Sequence, residues 1–306
     1  MTKISAVVCV HNREDTLDAC LSALERQTLS KDLHEILVVD NASTDQSPQI
    51  ADAYVKRNAN FKYIREERLG LAIARNRGIR EVCHDVVAFT DDDAIPADDW
   101  LERLSNRFST LDEKTVAVGG ELDPVWPHEK PEWLKGKDLL RSLSVELHWS
   151  DIARHLGADE WLCEANSAYR IAPILERGGF PEKLGRIGNN LLSGENAVNE
   201  LLLRDGYRFF FDPEIRVKHQ IAPQRMTQEW FRRRYFWQGV TGYIVQQYLR
   251  ENGCDVPPST SLLLPMNEKS WLSTLNYSES PDFEETLIRV YSLGYALAAA
   301  NILAGR

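Results

Sequence analysis

Val86-Val87-Ala88-Phe89-Thr90-Asp91-Asp92-Asp93 is an apolar run that stops on three consecutive acids. A run that is apolar without alternation is the pattern of a strand covered on both faces, as in the interior of a parallel sheet. Three adjacent carboxylates repel one another unless a cation or hydrogen-bond donors compensate. Oxygen donors of this kind suit Mg2+ or Mn2+, which keep waters and phosphate oxygens as their remaining ligands. A diphosphate leaving group needs such a cation, because negative charge grows on it as its bond to carbon breaks. The competing reading is a helix start, in which acids ahead of Pro96 complement the helix dipole.

Reading outward from this strand, the first 120 residues alternate apolar runs with helical spacing. Strands are expected over Ile4–Val10, Glu35–Val39, Phe61–Ile64, Asp85–Thr90 and Thr115–Val118. Helices are expected over Asp15–Gln27, where Leu17, Leu21 and Leu24 share a face, and over Pro48–Arg57, Gly70–Val82 and Ala97–Phe108. Such alternation implies an α/β fold with a mostly parallel sheet flanked by helices. Ligands of such sheets bind beyond the carboxyl ends of the strands. Asn12, Arg13, Asp40, Asn41 and Asp91–Asp93 all fall at such ends, which argues for one shared site. Neither a GxGxxG dinucleotide fingerprint nor a GxxxxGK[ST] phosphate loop is present.

After Glu121, Pro124, Pro127 and Pro131 with Trp126, Trp133 and Trp149 suggest long loops and short helices. Trp161–Arg170 is expected to return to the sheet, Gly178-Gly179-Phe180 to turn, Gly194–Leu203 to begin a helix, and Tyr207–Phe211 and Ile215–Lys218 to form strands. Thr227–Arg250 reads as a strongly aromatic helix. This divides the chain into an α/β half (1–120), a second half of the same domain (121–222) and a helical C-terminal region (223–306).

The 306 residues, 43% hydrophobic and 27% charged, are ordinary for a globular chain, and a net charge of −10 argues against a nucleic-acid partner. The charge is uneven: Arg216 to Arg234 holds six Lys/Arg against one acid, Glu229. Five scattered cysteines without a CxxC pair read as reduced thiols of a cytoplasmic protein. Ile4–Val10 is too short for a signal peptide, and Val290–Ala304, the most apolar late stretch, is too short to span a bilayer and reads as a packed helix.

Asp40 ends an apolar strand, and its carboxylate is placed either to accept from a nucleobase or ribose or to close an Asx turn. Asp45 reads as a helix cap. Ala74 and Gly78 let the 70–82 helix approach the sheet closely, which brings Arg75 within reach of a diphosphate; the alternative is a solvated arginine.

Val7-Val8-Cys9-Val10-His11-Asn12-Arg13, Ile36-Leu37-Val38-Val39-Asp40-Asn41-Ala42-Ser43-Thr44-Asp45, Gly70–Gly78, Phe89-Thr90-Asp91-Asp92-Asp93, Trp161–Arg170 with Gly178-Gly179-Phe180, and Leu192-Ser193-Gly194-Glu195-Asn196 together resemble family-2 glycosyltransferases of the GT-A fold. The resemblance covers roughly residues 3–240. It implies a nucleoside pocket lined by Val10, Asn12, Asp40 and Asn41. Many relatives carry a second aspartate where this chain has Asn41. It further implies Asp91 and Asp92 at the ribose or the metal, Asp93, Asp91 and His219 as metal ligands, Arg75 at the diphosphate, and Trp161, Glu164 and Asn166 around donor sugar and acceptor. Relatives commonly show two or three acids at Glu195-Asn196. An amide accepts no proton usefully at neutral pH, so Glu195 is the expected base. Arg216 and Arg225 are further diphosphate candidates.

The implied activity is transfer of a sugar from a UDP, GDP or dTDP sugar to an acceptor hydroxyl, with inversion, assisted by Mn2+ or Mg2+. The acceptor is a carbohydrate or is lipid-linked. The basic face at Arg232–Arg234 is then expected to touch anionic lipid at the inner face of the membrane. Two rivals remain at this point. One is a nucleotide-sugar-forming nucleotidyltransferase, which usually carries a Gly-rich basic loop near its start; none is seen here. The other is a non-catalytic nucleotide-sugar-binding relative, suggested by Asn196.

Overall fold

The computed structural model describes residues 1–134, 139–143, 145–186, 190–192, 195–256 and 283–300. The first half follows the predicted alternation: β1 (Ile4–Val10), α1 (Leu17–Glu25), β2 (His34–Asp40), α2 (Ser47–Arg57), β3 (Phe61–Arg65), α3 (Leu71–Glu81) and β4 (Val86–Asp91). β1 pairs in parallel with β2 on one side and β4 on the other, and β2 pairs in parallel with β3. Ile4, Ala6, Val8 and Val10 face a core shared with Leu17, Leu21 and Leu24 of α1. Val7 faces a second core with Leu37, Val39 and the α3 residues Ala72, Ala74 and Ile79. Two covered faces explain why β1 reads as an unbroken apolar run. α3 sits close because Gly78 has no side chain: a Cβ there would lie 2.8 Å from a Val7 methyl.

The second half continues with β5 (Ala94–Pro96), α4 (Trp100–Thr110), β6 (Thr115–Val125), α5 (Leu139–Ser142), β7 (Arg154–His155), β8 (Ser167–Arg170), α6 (Ile171–Glu176), α7 (Glu195–Arg204) and β9 (Arg208–Gln220). Among the described residues the sheet has nine strands in the order β3-β2-β1-β4-β8-β6-β9-β5, with β7 beside β9. β6 and β9 run in the direction of β1–β4, whereas β5, β7 and β8 run against them. The α/β class and mostly parallel sheet are as predicted.

Two details differ from the sequence expectation. Pro96 does not head a helix. It ends β5, which pairs antiparallel with β9 so that Ala94 stands opposite His219, and α4 starts only at Trp100. The expected Tyr207–Phe211 and Ile215–Lys218 strands are one long strand, β9, interrupted by a bulge. Its register against β6 steps from Gly120 opposite Asp212 to Glu121 opposite Arg216. Gly120 is required there, because a Cβ would run into the carbonyls of Ile215 and Asp212.

The C-terminal region is α8 (Gln228–Glu251) and α9 (Phe283–Ala299). Their backbones touch: a Cβ on Gly239 would meet the Tyr291 carbonyl, and one on Gly294 the Phe236 carbonyl. Phe231, Phe283 and Leu287 join Leu134, Leu140 and Ile221 in a third apolar cluster. The expected late helix is therefore packed, as α9; residues 301–306 lie outside the described part. No helix among the described residues is long and apolar enough to cross a membrane. The Arg232 guanidinium lies 5.4 Å over the Phe283 ring and donates to Gln228, and Arg234 donates to the Leu191 carbonyl, so only Arg233 of the three is exposed.

Candidate active site

The chain leaves β1 toward β2 on one side and reaches β4 on the other, so a crevice opens at the carboxyl ends of these strands, where strand order reverses. A cavity of about 340 Å³ lies there. Of the anticipated residues, Val10, Asn41, Arg75, Asp91–Asp93 and Arg225 line it, together with Arg13 and Arg186.

Each aspartate faces an arginine from a different element. Arg13, after β1, places Nε 3.4 Å from Asp92 Oδ1. Arg75, on α3, places Nη2 3.8 Å from Asp91 Oδ1. Arg225, in the turn Pro223–Met226 after β9, places Nη2 3.4 Å from Asp93 Oδ2. Arg75 is nearly buried, with its guanidinium 5.8 Å from the Phe89 ring and 5.9 Å from the Phe180 ring. Arg186 gave no signal in the sequence, and Arg13 was visible only as a polar residue at a strand end.

His219 reaches the same place through the β5–β9 pairing, and the Gln220 N–H donates to the Asp93 carbonyl (2.9 Å). His219 Nε2 stands 3.2 Å from Asp93 Oδ1. Burial would raise the Asp93 carboxyl, but the hydrogen bond and charge of His219, with Arg225 and Arg13, hold it well below the usual carboxylate range. Burial and the adjacent Asp93 charge push Asp92 well above that range, against the pull of Arg13.

The donors of Asp91, Asp93 and His219 all lie within 4.8 Å of one another. Two ligands 2.1 Å from one ion on opposite sides are about 4.2 Å apart, so small side-chain shifts close the set. The set fits a divalent cation. The buried His219 Nδ1 has no hydrogen-bond partner, which leaves Nε2 as the nitrogen presented to the site.

Other anticipated residues are used differently. Asn41 spends its amide on the chain: Nδ2 donates to the Glu66 (3.1 Å) and Arg68 (2.7 Å) carbonyls, and Oδ1 accepts from the Gly70 N–H (2.8 Å). An aspartate could not make the two donations. Asp40 is fully buried and lies outside the cavity lining. Its carboxylate accepts from the Ser43 N–H (3.0 Å), Tyr63 Oη (2.8 Å) and Arg65 Nη1 (2.6 Å). Asn12 is exposed with φ 51° and braces the next loop, donating from N–H to Ser43 Oγ and accepting from the Thr44 N–H.

Trp161 packs edge-on against Trp149, ring centres 4.7 Å apart, outside the cavity lining. Asn166 is buried, accepts from Trp100 Nε1 (2.8 Å) and donates to the Glu121 (2.6 Å) and Ile215 (2.9 Å) carbonyls; it holds the β9 bulge. Glu164 is buried and accepts from Tyr169 Oη (3.1 Å). Glu195 opens α7, and its side chain lies outside the described residues. Arg216 pairs with Glu121 and Glu214, away from the cavity. A larger hollow of about 900 Å³ lies at the opposite end of the sheet, around Asp85, Arg170 and Tyr207, away from the aspartates and His219.

Residues 5–156 match the family model "Glycosyl transferase family 2". The chain is 35% identical over 223 residues to the glycosyltransferase AglE of Haloferax volcanii, a match covering 72% of this chain and 67% of that protein. The chain belongs to glycosyltransferase family 2. The transferase is also 27% identical over 248 residues to the glucosyl-dolichyl phosphate glucuronosyltransferase of Haloferax volcanii, covering 78% of this chain and 75% of the relative. It shares its fold with the mannosyltransferase PcManGT of Pyrobaculum calidifontis, solved with GDP-Man and Mn2+, at a TM-score of 0.61, 18% identity and coverage of 100% and 88%. Residues 1–349 of TarS from S. aureus, solved with UDP, align at a TM-score of 0.51 and 18% identity, over 99% of this chain and 92% of that one. The family-2 transferase thus has the GT-A fold.

Proposed function

We propose that this transferase takes its sugar from a nucleoside-diphosphate donor held over Asp91–Asp93 and passes it to a carbohydrate or lipid-linked hydroxyl. One observation carries the reading: three aspartates and three facing arginines converge on a cavity at the switch point of the sheet, with His219 against Asp93. The names of the relatives and the nucleotides in the neighbouring structures, GDP-Man in one and UDP in another, support it. A nucleotidyltransferase is not favoured.

In this reading residues 1–120 form the donor half and 121–222 the catalytic half, with 223–306 as a helical addition. Val10 and Asn41 line the nucleoside end. Asp40 acts from behind by fixing Tyr63 and Arg65. Arg75 and Arg13 face the diphosphate. Asp91, Asp93 and His219 would hold Mn2+, which supplies positive charge to the departing diphosphate. Glu195 takes the proton of the acceptor hydroxyl, whose oxygen bonds to the anomeric carbon as the diphosphate oxygen leaves from the opposite side. Trp161 and Asn166 support the site through packing and through the β9 bulge.

The test is a melting-temperature screen of UDP, GDP and dTDP and their sugars with Mn2+ and Mg2+, since a ligand bound to the folded state raises the midpoint. A rise that needs both Mn2+ and a nucleotide is expected; no rise with any pair rejects the donor reading. Asp93→Ala is expected to abolish that rise and to lower turnover by on the order of 100-fold or more at unchanged far-UV circular dichroism. Glu195→Gln is expected to keep the rise and lose turnover, and full activity would remove Glu195 from its role. Lipid contact is proposed through the exposed Arg233 alone. Arg233→Glu should reduce sedimentation with anionic vesicles, and equal sedimentation of the parent and variant rejects it.

A further inference from the structure

We propose that Arg225 is a built-in stand-in for the divalent cation: it occupies the Asp93–His219 site while the ion is absent and turns to the donor diphosphate when the ion enters. This rests on the metal reading above and adds a residue that changes partners within it.

The geometry around His219 Nε2 is the starting point. That nitrogen stands 3.2 Å from Asp93 Oδ1 and 3.4 Å from Arg225 Nη1. A ring nitrogen cannot donate to the carboxylate and accept from the guanidinium at once, and it has no lone pair for an ion while it carries a proton. Nδ1 is buried away from any partner, so the ring has no second nitrogen to offer. Ligation through Nε2 therefore requires both present neighbours to change. Arg225 is the neighbour that must leave, because its other nitrogen lies against Asp93 Oδ2 at 3.4 Å and its charge would stand beside a doubly charged ion.

Its attachment suits such a move. Charge-assisted hydrogen bonds to carboxylates run at about 2.7–2.9 Å. Arg225 makes none that short to Asp93, in contrast to Arg65 on Asp40 at 2.6 Å. The side chain is 17% exposed and comes from a four-residue turn, Pro223–Met226, rather than from inside a helix or strand. It also lines the cavity that Arg13 and Arg75 face, so a guanidinium swung off Asp93 is already at the diphosphate position. Arginine suits both tasks, as a monovalent cation against a carboxylate and as a planar fork for phosphate oxygens.

Two titrations test this, both read without turnover. Mn2+ alone is titrated into the full-length parent, Arg225→Gln and Arg225→Lys by calorimetry or by electron paramagnetic resonance of free Mn2+. UDP and GDP are then titrated at saturating Mn2+. Arg225→Gln is expected to bind Mn2+ roughly 3- to 10-fold more tightly than the parent, because a competing cation is gone, and to bind the nucleoside diphosphate more weakly by a similar factor. Arg225→Lys should lie between the two on nucleotide affinity. A residue that merely held the site together would lower both affinities. Equal or weaker Mn2+ binding by Arg225→Gln, with its melting temperature and circular dichroism preserved, overturns the stand-in role. Tighter Mn2+ binding with unchanged nucleotide affinity overturns the move to the diphosphate. Failure of the parent itself to bind Mn2+ rejects the metal reading instead, and Arg225 with it.

Discussion

Asn166 carries three hydrogen bonds in a place that water scarcely reaches. Its amide joins α4, β6 and the β9 bulge, and the bulge sets which residue of β9 arrives opposite Ala94. Replacing it with alanine removes a donor from two carbonyls and the acceptor of the Trp100 N–H; with roughly 1–3 kcal/mol for each buried group left unsatisfied, a loss of about 2–4 kcal/mol is expected after relaxation, measured by urea unfolding. Asn166→Asp should be no better, because a carboxylate would face the same carbonyls. A loss below about 0.5 kcal/mol would show that the bulge does not depend on this amide. The same residue shows where sequence reading stops. Trp161–Arg170 resembles a substrate-facing stretch, but the pattern does not tell an amide needed by a substrate from one needed by the chain. Asp40 and Asn41 behave alike: their positions at strand ends were legible, their partners Tyr63, Arg65, Glu66 and Gly70 were not. Asp91, Asp93 and His219 were legible as one set because the acids end an apolar strand and the resemblance placed the histidine.

At the level of elements, long apolar runs revealed themselves and short pairings did not. β1, β2 and β4 are bounded to within a residue or so of their predicted ends because both faces are covered, which leaves an unmistakable composition. β5 and β7 have three and two residues and no periodicity to detect. β9 reads as two pieces in the sequence, and the structure puts Pro213 between them, in the bulge. The bulge makes a sharp prediction at Gly120. Gly120→Ala would press a methyl onto two carbonyls, so it is expected to lower the melting temperature by several degrees and to weaken Mn2+ binding by moving His219 off Asp93. Gly206→Ala is the control, since a Cβ there meets nothing within 4 Å and only its φ of +84° is strained. Equal effects of the two would mean that the bulge contact at Gly120 carries no special cost.

Across the whole molecule, one buried carboxylate ties the first strands together and makes stability depend on pH. Glu35 of β2 accepts from Ser5 of β1 (2.7 Å), from the Cys83 N–H ahead of β4 (2.6 Å) and pairs with Lys62 of β3 (2.7 Å). Burial alone would raise its carboxyl. The bonds from Cys83, Lys62 and Ser5 outweigh it and bring the pKa from 4.5 down to about 2. A carboxyl lowered in the folded state stabilises fully above the unfolded value and loses that contribution as pH falls from about 4.5 toward 2. The melting temperature should therefore drop across that window. Glu35→Gln should start lower at pH 7 and fall less steeply, and parallel profiles for parent and variant would place the acid sensitivity elsewhere.

The order of the strands also sets a timetable. β8 lies between β4 and β6, yet it is made after both, and β9, which completes the far side, comes later still. On the ribosome the first 125 residues can form β3-β2-β1-β4 while the hydrogen-bonding edge of β4 stays bare until residue 167 has emerged. Unpaired edges next to apolar faces recruit other chains. A fragment ending at residue 156, the limit of the matched family segment, would thus carry most of the aspartate site and still aggregate, whereas extension through β9 would cover the β4 edge with β8 and stay dispersed. The part of the chain that looks most like a module is the part least able to stand alone.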